Sequence, residues 1–194
     1  MRPPKPHELK KLPITKLDAV RRQLETAITL WFHDADPVSV HTLVMAAHGI
    51  LRAINKKRGG QPMLGDPNPR IRPGFEKKVA DMFAGASNFF KHGDKDPLAT
   101  HYFAPKSNQF MILDACQAYM LQAQEERPLM KTFTLYITFH FPGLFKQESI
   151  EFVQRNPFFS EAKRFSKREF FTEFLPSASA LFTQTPQQPN EGAR

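Results

Sequence analysis

The chain has 194 residues, enough for one domain with small additions, and its 41% hydrophobic content excludes wholesale disorder. A formal charge of +8 makes acidic partners, RNA or another polyanion, the first class to consider. The single cysteine, Cys116, excludes an intramolecular disulfide and a cysteine-based zinc site, and it fits a reducing cytoplasmic setting.

Residues 1–13 are rich in proline and lysine and read as an extended arm with no apolar signal region. No run approaches the roughly 20 apolar residues needed to cross a bilayer, so membrane association is not expected. The first helix opens at Thr15, with Asp18 three residues on as a variant capping box. Leu17, Val20, Leu24, Ala27, Ile28 and Trp31 repeat along it at helical spacing, and it ends near His33.

Pro37, capped by Asp36, starts a second helix. Val40, Leu43, Val44, Ala47, Ile50, Leu51 and Ile54 share one face of it, and Lys56, Lys57 and Arg58 close it at the end where the dipole favours cations. A short turn between the two helices predicts an antiparallel hairpin. Proline-rich Gln61 to Pro73 is a loop.

Helix three spans about Gly74 to His92, with Phe75, Val79, Met82, Phe83, Ala86, Phe89 and Phe90 as its buried stripe and Gly93 as its stop. Helix four, Ser107 to Gln124, is apolar nearly all round and therefore central. Residues 131–141 put Phe133, Leu135, Ile137, Phe139 and Phe141 at alternate positions, a strand pattern. No second strand exists to pair with it, so the segment is assigned as helix. Short helices are expected near Glu148–Gln154 and Ser160–Phe174, and the composition from Pro176 reads as a disordered tail.

The most distinctive stretch is Asp81 to Pro97. On a helical wheel Asp81, Asn88 and His92 lie opposite the phenylalanine stripe, and Asn88 and His92, four apart, can touch. His92 stands in the last turn, where the dipole and the nearby Asp94 and Asp96 favour its protonated form, as a general acid or phosphate contact would need. Gly85 inside the helix suggests that something approaches the backbone closely. A polar face with a terminal histidine is equally what any surface helix carries.

The run Asn88-Phe-Phe-Lys-His92 resembles the signature of the HEPN superfamily, in which an arginine, usually followed by a polar residue such as asparagine, precedes a histidine by four to six positions. The resemblance implies an all-α bundle that dimerises with its two signatures facing each other and cleaves RNA without metal. Asn88 and His92 would then be the catalytic pair. The arginine that should hold phosphate is replaced by Ser87, leaving Lys91, Lys77 or Lys78 for that charge and Ser87 and Asp81 as further substrate contacts. More widely, Pro37-Val-Ser-Val-His41-Thr-Leu, Ala86 to Pro97 and Leu113-Asp-Ala115 resemble a family of small bacterial proteins of unassigned function, which implies a helical domain and no particular activity.

Other signals are weaker. His41 and His48 are about 10 Å apart along one helix, too far to share a metal, and read as boundary histidines. His33, Asp34 and Asp36 read as a solvated capping turn, Asp94-Lys-Asp96 lacks the rest of a calcium loop, and Cys116 reads as inert packing. Neither metal nor cofactor is implied. Basic residues cluster at Lys10–Arg22, Lys56–Arg72 and Lys163–Arg168, which would form an anion groove if they gathered around His92.

The expectation is therefore an all-α helical bundle over residues 14–175, with a HEPN-like core, added C-terminal helices and a tail over 176–194. It would be an RNA-associated protein, a variant or inactive HEPN-type ribonuclease. The alternative is a non-enzymatic helical interaction module that pairs as a homodimer.

Overall fold

A computed structural model of the protein describes residues 11–66, 74–94, 96–144, 151, 154–155 and 159–184. Helix α1 (Lys16–Phe32) begins with the reciprocal cap its sequence announces. The Asp18 amide donates to Thr15 Oγ1 at 3.1 Å, and the Thr15 amide donates to Asp18 Oδ2 at 3.2 Å. In α2 (Pro37–Lys57) the Ser39 amide donates to the Asp36 carboxylate at 2.7 Å, with Pro37 in the first turn. Helices α3 (Glu76–Lys91), α4 (Ser107–Ala123) and α5 (Pro128–His140) follow, then a 3-10 turn at Pro142–Leu144, a single-turn α6 (Phe159–Ala162) and α7 (Lys167–Gln184). The described residues form an all-α bundle with no strand.

Helix α1 is the hub, packed against α2, α4, α5 and α7, while α3 lies on α2 and α7 lies on α5. Polar contacts between helices fix their directions. His41 and Asn55, near the two ends of α2, meet Asn108 and Gln122, near the matching ends of α4, so α2 and α4 run parallel. Likewise Glu25 pairs with Arg127 at the start of α5, and Trp31 packs edge-on against Phe133 and Tyr136 further along it, so α1 and α5 run parallel. The centre of the core is this aromatic cluster, in which Phe32, Phe133 and Phe170 are wholly buried.

Residues 131–140 are helical, as the lack of a strand partner required. Burial follows the four-residue spacing of Phe133 and Ile137, and Thr132, Thr134 and Thr138 each donate a hydroxyl to the carbonyl four positions back, which occupies groups that would otherwise favour an extended chain.

Three expectations need correction. Phe75 is exposed, because it precedes the first turn of α3 and only the later turns, through Phe83, Ala86 and Ser87, reach the core. The helix expected over Ser160–Phe174 is broken after Ala162, where the Arg164 and Phe165 amides close a turn onto Glu161 and Ala162. Ser166 restarts it, since its amide donates to Glu169 Oε2 at 2.7 Å while the Glu169 amide donates to Ser166 Oγ at 3.3 Å. The tail expected from Pro176 begins as helix instead: α7 carries Pro176 in its interior and continues to Gln184, held by buried Ala178 and by the Ser179 hydroxyl on the Leu175 carbonyl. Residues 1–10, 67–73 and 185–194, most of the segment expected as a helix near Glu148–Gln154, and the Met82 side chain lie outside the described residues.

By length and composition α2 is apolar enough to cross a bilayer. Here it is a core helix that buries His41, His48 and Asn55 in polar contacts with α4.

Candidate functional site

The end of α3 is covered by its own downstream loop. Phe89 stacks on His101 at 5.3 Å, and Phe90 meets His101 and Phe103 edge-on at 6.3 and 5.3 Å. Below them the His41 ring lies edge-on to Phe90 and Phe103. Beside this aromatic seam opens a cleft of about 580 Å³ lined by Gly85, Asn88, Phe89, His92, Asp94, Asp96 and His101.

Asn88 and His92 both face this cleft and are exposed, as the wheel placed them. Asp81 is exposed on the same side of α3 but two turns, about 10 Å, nearer its start, and it does not line the cleft. Lys91 is exposed next to His92 without lining the cleft, and Lys77 and Lys78 are exposed on the first turn of α3. Ser87, expected to contact substrate, is only 6% exposed. It stands one turn from Phe83 on the core-facing stripe, so a side chain at this position points into the protein.

His101 is the group that sequence reasoning missed. It lies in a loop with no periodicity to mark it, and it brings a second imidazole to the cleft with the carboxylates of Asp94 and Asp96. It is also what approaches Gly85, where a Cβ would lie 3.7 Å from His101 Cε1. That is ordinary contact, so Gly85→Ala should stabilise the protein by about 0.5–1 kcal/mol through helix propensity. Urea unfolding checks this, and a loss of stability would mean that the His101 ring cannot tolerate the added methyl.

The two histidines of α2 are core residues. His41 is 1% exposed, and its Nδ1 lies 2.9 Å from Asn108 Oδ1. Because Asn108 Nδ2 already donates to the Pro37 carbonyl at 2.9 Å, the His41 Nδ1 carries the proton and donates, leaving Nε2 buried without a partner. Burial holds this imidazole below its ordinary value of 6.5. The Asn108 bond opposes that shift, and Lys91 and His101 add to it. The unfolded chain therefore binds the proton more readily, so the contribution of His41 is complete above about pH 6.5 and is lost as the pH falls through the lowered folded value. Urea unfolding across this range should show wild-type stability declining in acid more steeply than that of His41→Gln; equal slopes would contradict the assignment.

His48 Nε2 lies 2.8 Å from Asp114 Oδ2, which also accepts the Leu64 amide at 2.9 Å. Asp34 pairs with Lys167 at 2.6 Å, Asp36 caps α2, and His33 Nδ1 bonds to the Thr29 carbonyl. No group of three histidine, cysteine or acidic side chains is placed to hold a metal ion among the described residues.

Among the described residues, the basic clusters make their contacts away from His92. Lys56–Arg58 lie at the far end of α2, about 20 Å from His41, and Arg58 bonds to Gln122 at the end of α4. Arg21 is paired with Asp18 and Glu25. Lys167 and Arg168 dock on Asp34 and the His33 carbonyl at the end of α1.

Comparison with protein-family models, with curated proteins and with solved structures finds no match to this chain.

Proposed function

We propose that the protein is a helical interaction module that pairs with a second copy of itself through the Asn88–His92 cleft and the loop beside it. The observation that carries this reading is the exposure of two large apolar side chains in that loop: Leu98 is 96% exposed and Tyr102 is 95% exposed. Large aliphatic and aromatic side chains set among polar ones are what the centre of a contact surface uses. The same stretch holds Lys91 and Lys106 alongside Asp94 and Asp96, and a two-fold pairing of one patch with itself sets such mixed charges against their opposites. Sedimentation velocity over a range of concentrations should show self-association that Leu98→Asp with Tyr102→Asp abolishes. A monomer at every concentration would overturn it.

A second reading, an RNA-associated protein of variant or inactive HEPN type, is favoured by the imidazole of His92 and the carboxamide of Asn88 opening together to solvent in a chain of charge +8. In it His92 is the acid or base, Asn88 orients it, and Lys91 contacts phosphate. The buried Ser87 at the arginine position and the carboxylates of Asp94 and Asp96 weigh against phosphate binding in the cleft. This reading expects RNA affinity to fall steeply with salt, and it expects His92→Ala to remove any cleavage while leaving thermal stability almost unchanged. Affinity indifferent to salt would remove it.

A further inference from the structure

A cavity of about 520 Å³ lies between α5, α6 and α7 and shares no residue with the Asn88–His92 cleft. Helical spacing builds its walls: Leu135 and Phe139 stand four apart on α5, and Phe174 and Ala178 four apart on α7. Phe139 and Phe174 meet edge-on at 6.2 Å, and Phe139 and the neighbouring Ala162 are closed to solvent. Phe165 supplies a further wall, because the turn after Ala162 sets its ring at 6.3 Å from that of Phe174. Phe165 and Phe174 are only partly buried, so the cavity presents aromatic surface that the core does not use. Its volume falls within the roughly 300–1,000 Å³ of small-molecule sites, and like them it is mostly apolar with a few polar groups.

The polar groups are acidic. Glu161 from α6 and Glu173 from α7 both line the cavity, both are exposed, and neither forms an ion pair among the described residues. The cation beside them, Lys131, donates to the Glu126 carboxylate at 3.1 Å, which offsets its charge. Lys163 and Arg164 follow in the chain without lining the cavity. Two carboxylates therefore face an apolar space walled by aromatic rings, whose faces themselves attract cations. A ligand with an apolar body and a positive charge uses both features, whereas an anion would be repelled and a neutral body would use the walls alone.

We propose that this cavity binds a hydrophobic amine in its ammonium form, the ammonium on Glu161 and Glu173 and the apolar body against Phe165 and Phe174. Isothermal titration of the full chain with 4-phenylbutylamine at neutral pH should show saturable binding. The alcohol 4-phenylbutanol, which keeps the body and lacks the charge, should bind about tenfold more weakly, the combined effect of two exposed ion pairs. The acid 4-phenylbutanoate should bind more weakly still. Glu161→Gln with Glu173→Gln should weaken amine binding by about tenfold, leave alcohol binding unchanged and leave the melting temperature unchanged, since both positions are exposed. Ala178→Leu, which fills the cavity from α7, should abolish binding of amine and alcohol alike; the paired glutamine variant decides alone if Ala178→Leu does not fold. The proposal is overturned by an absence of saturable binding, by equal binding of amine and alcohol, by tighter binding of the acid, or by indifference to the paired glutamine variant.

Discussion

Replacing Phe133 by alanine should destabilise the protein by about 3–5 kcal/mol, the cost of removing a buried aromatic ring and leaving a cavity. Phe133 is wholly buried in α5, edge-on to Trp31 at 5.0 Å and to Phe32 at 6.1 Å, both from α1. The same two α1 rings also hold Tyr136, and Phe32 meets Phe171 of α7, so the cavity would open where α1, α5 and α7 join. The surrounding rings cannot close it without leaving their edge-on geometry, which puts the expected loss well above that of an average substitution. Urea unfolding followed by Trp31 fluorescence measures it directly, and a loss under about 1 kcal/mol would mean the cluster does not organise the core.

Asp114→Ala should cost about 2–4 kcal/mol, since it strands two donors with one change, the buried His48 ring and the partly buried Leu64 amide. The Asp114 carboxylate takes His48 Nε2 from α2 and the Leu64 amide from the segment that returns from α2, and His48 is buried. No methyl group can replace either bond. Asp114→Asn keeps an oxygen acceptor and should recover part of the loss. Hydrogen exchange at the Leu64 amide gives a local readout: it should speed up in Asp114→Ala before the rest of the protein opens. Unchanged exchange would contradict the role assigned to this carboxylate.

The helices were largely readable because their signals are local. Thr15 with Asp18, and Asp36 with Pro37, announce helix starts that need nothing beyond neighbouring residues. Asn88 and His92 could be placed together on one exposed face for the same reason: four residues is one turn. Their neighbours could not be found this way. His101 reaches the cleft through a loop whose course depends on Phe89 and Phe90. His41 with Asn108 and His48 with Asp114 join residues 67 and 66 positions apart, beyond any periodicity. One signal was available: Asp114 is the lone charged residue of α4, set within the apolar run Phe110–Cys116, and a carboxylate placed there needs partners. Ser87 was assigned outward by analogy with a motif, although its one-turn spacing from Phe83 already placed it inward. The break before Ser166 was hidden because phenylalanines on both sides of it keep up a helical rhythm across the turn.

The central functional claim is that the loop beside the Asn88–His92 cleft is covered when two chains meet. Thr100 lies between Leu98 and Tyr102 and is exposed, while Cys116 is buried and its thiol is pushed up by that burial, so Thr100→Cys supplies one reactive thiol. Its rate of maleimide labelling should fall as the protein is concentrated and should return to the dilute rate when Leu98→Asp is added. A labelling rate that stays the same from dilute to concentrated solution would contradict the account.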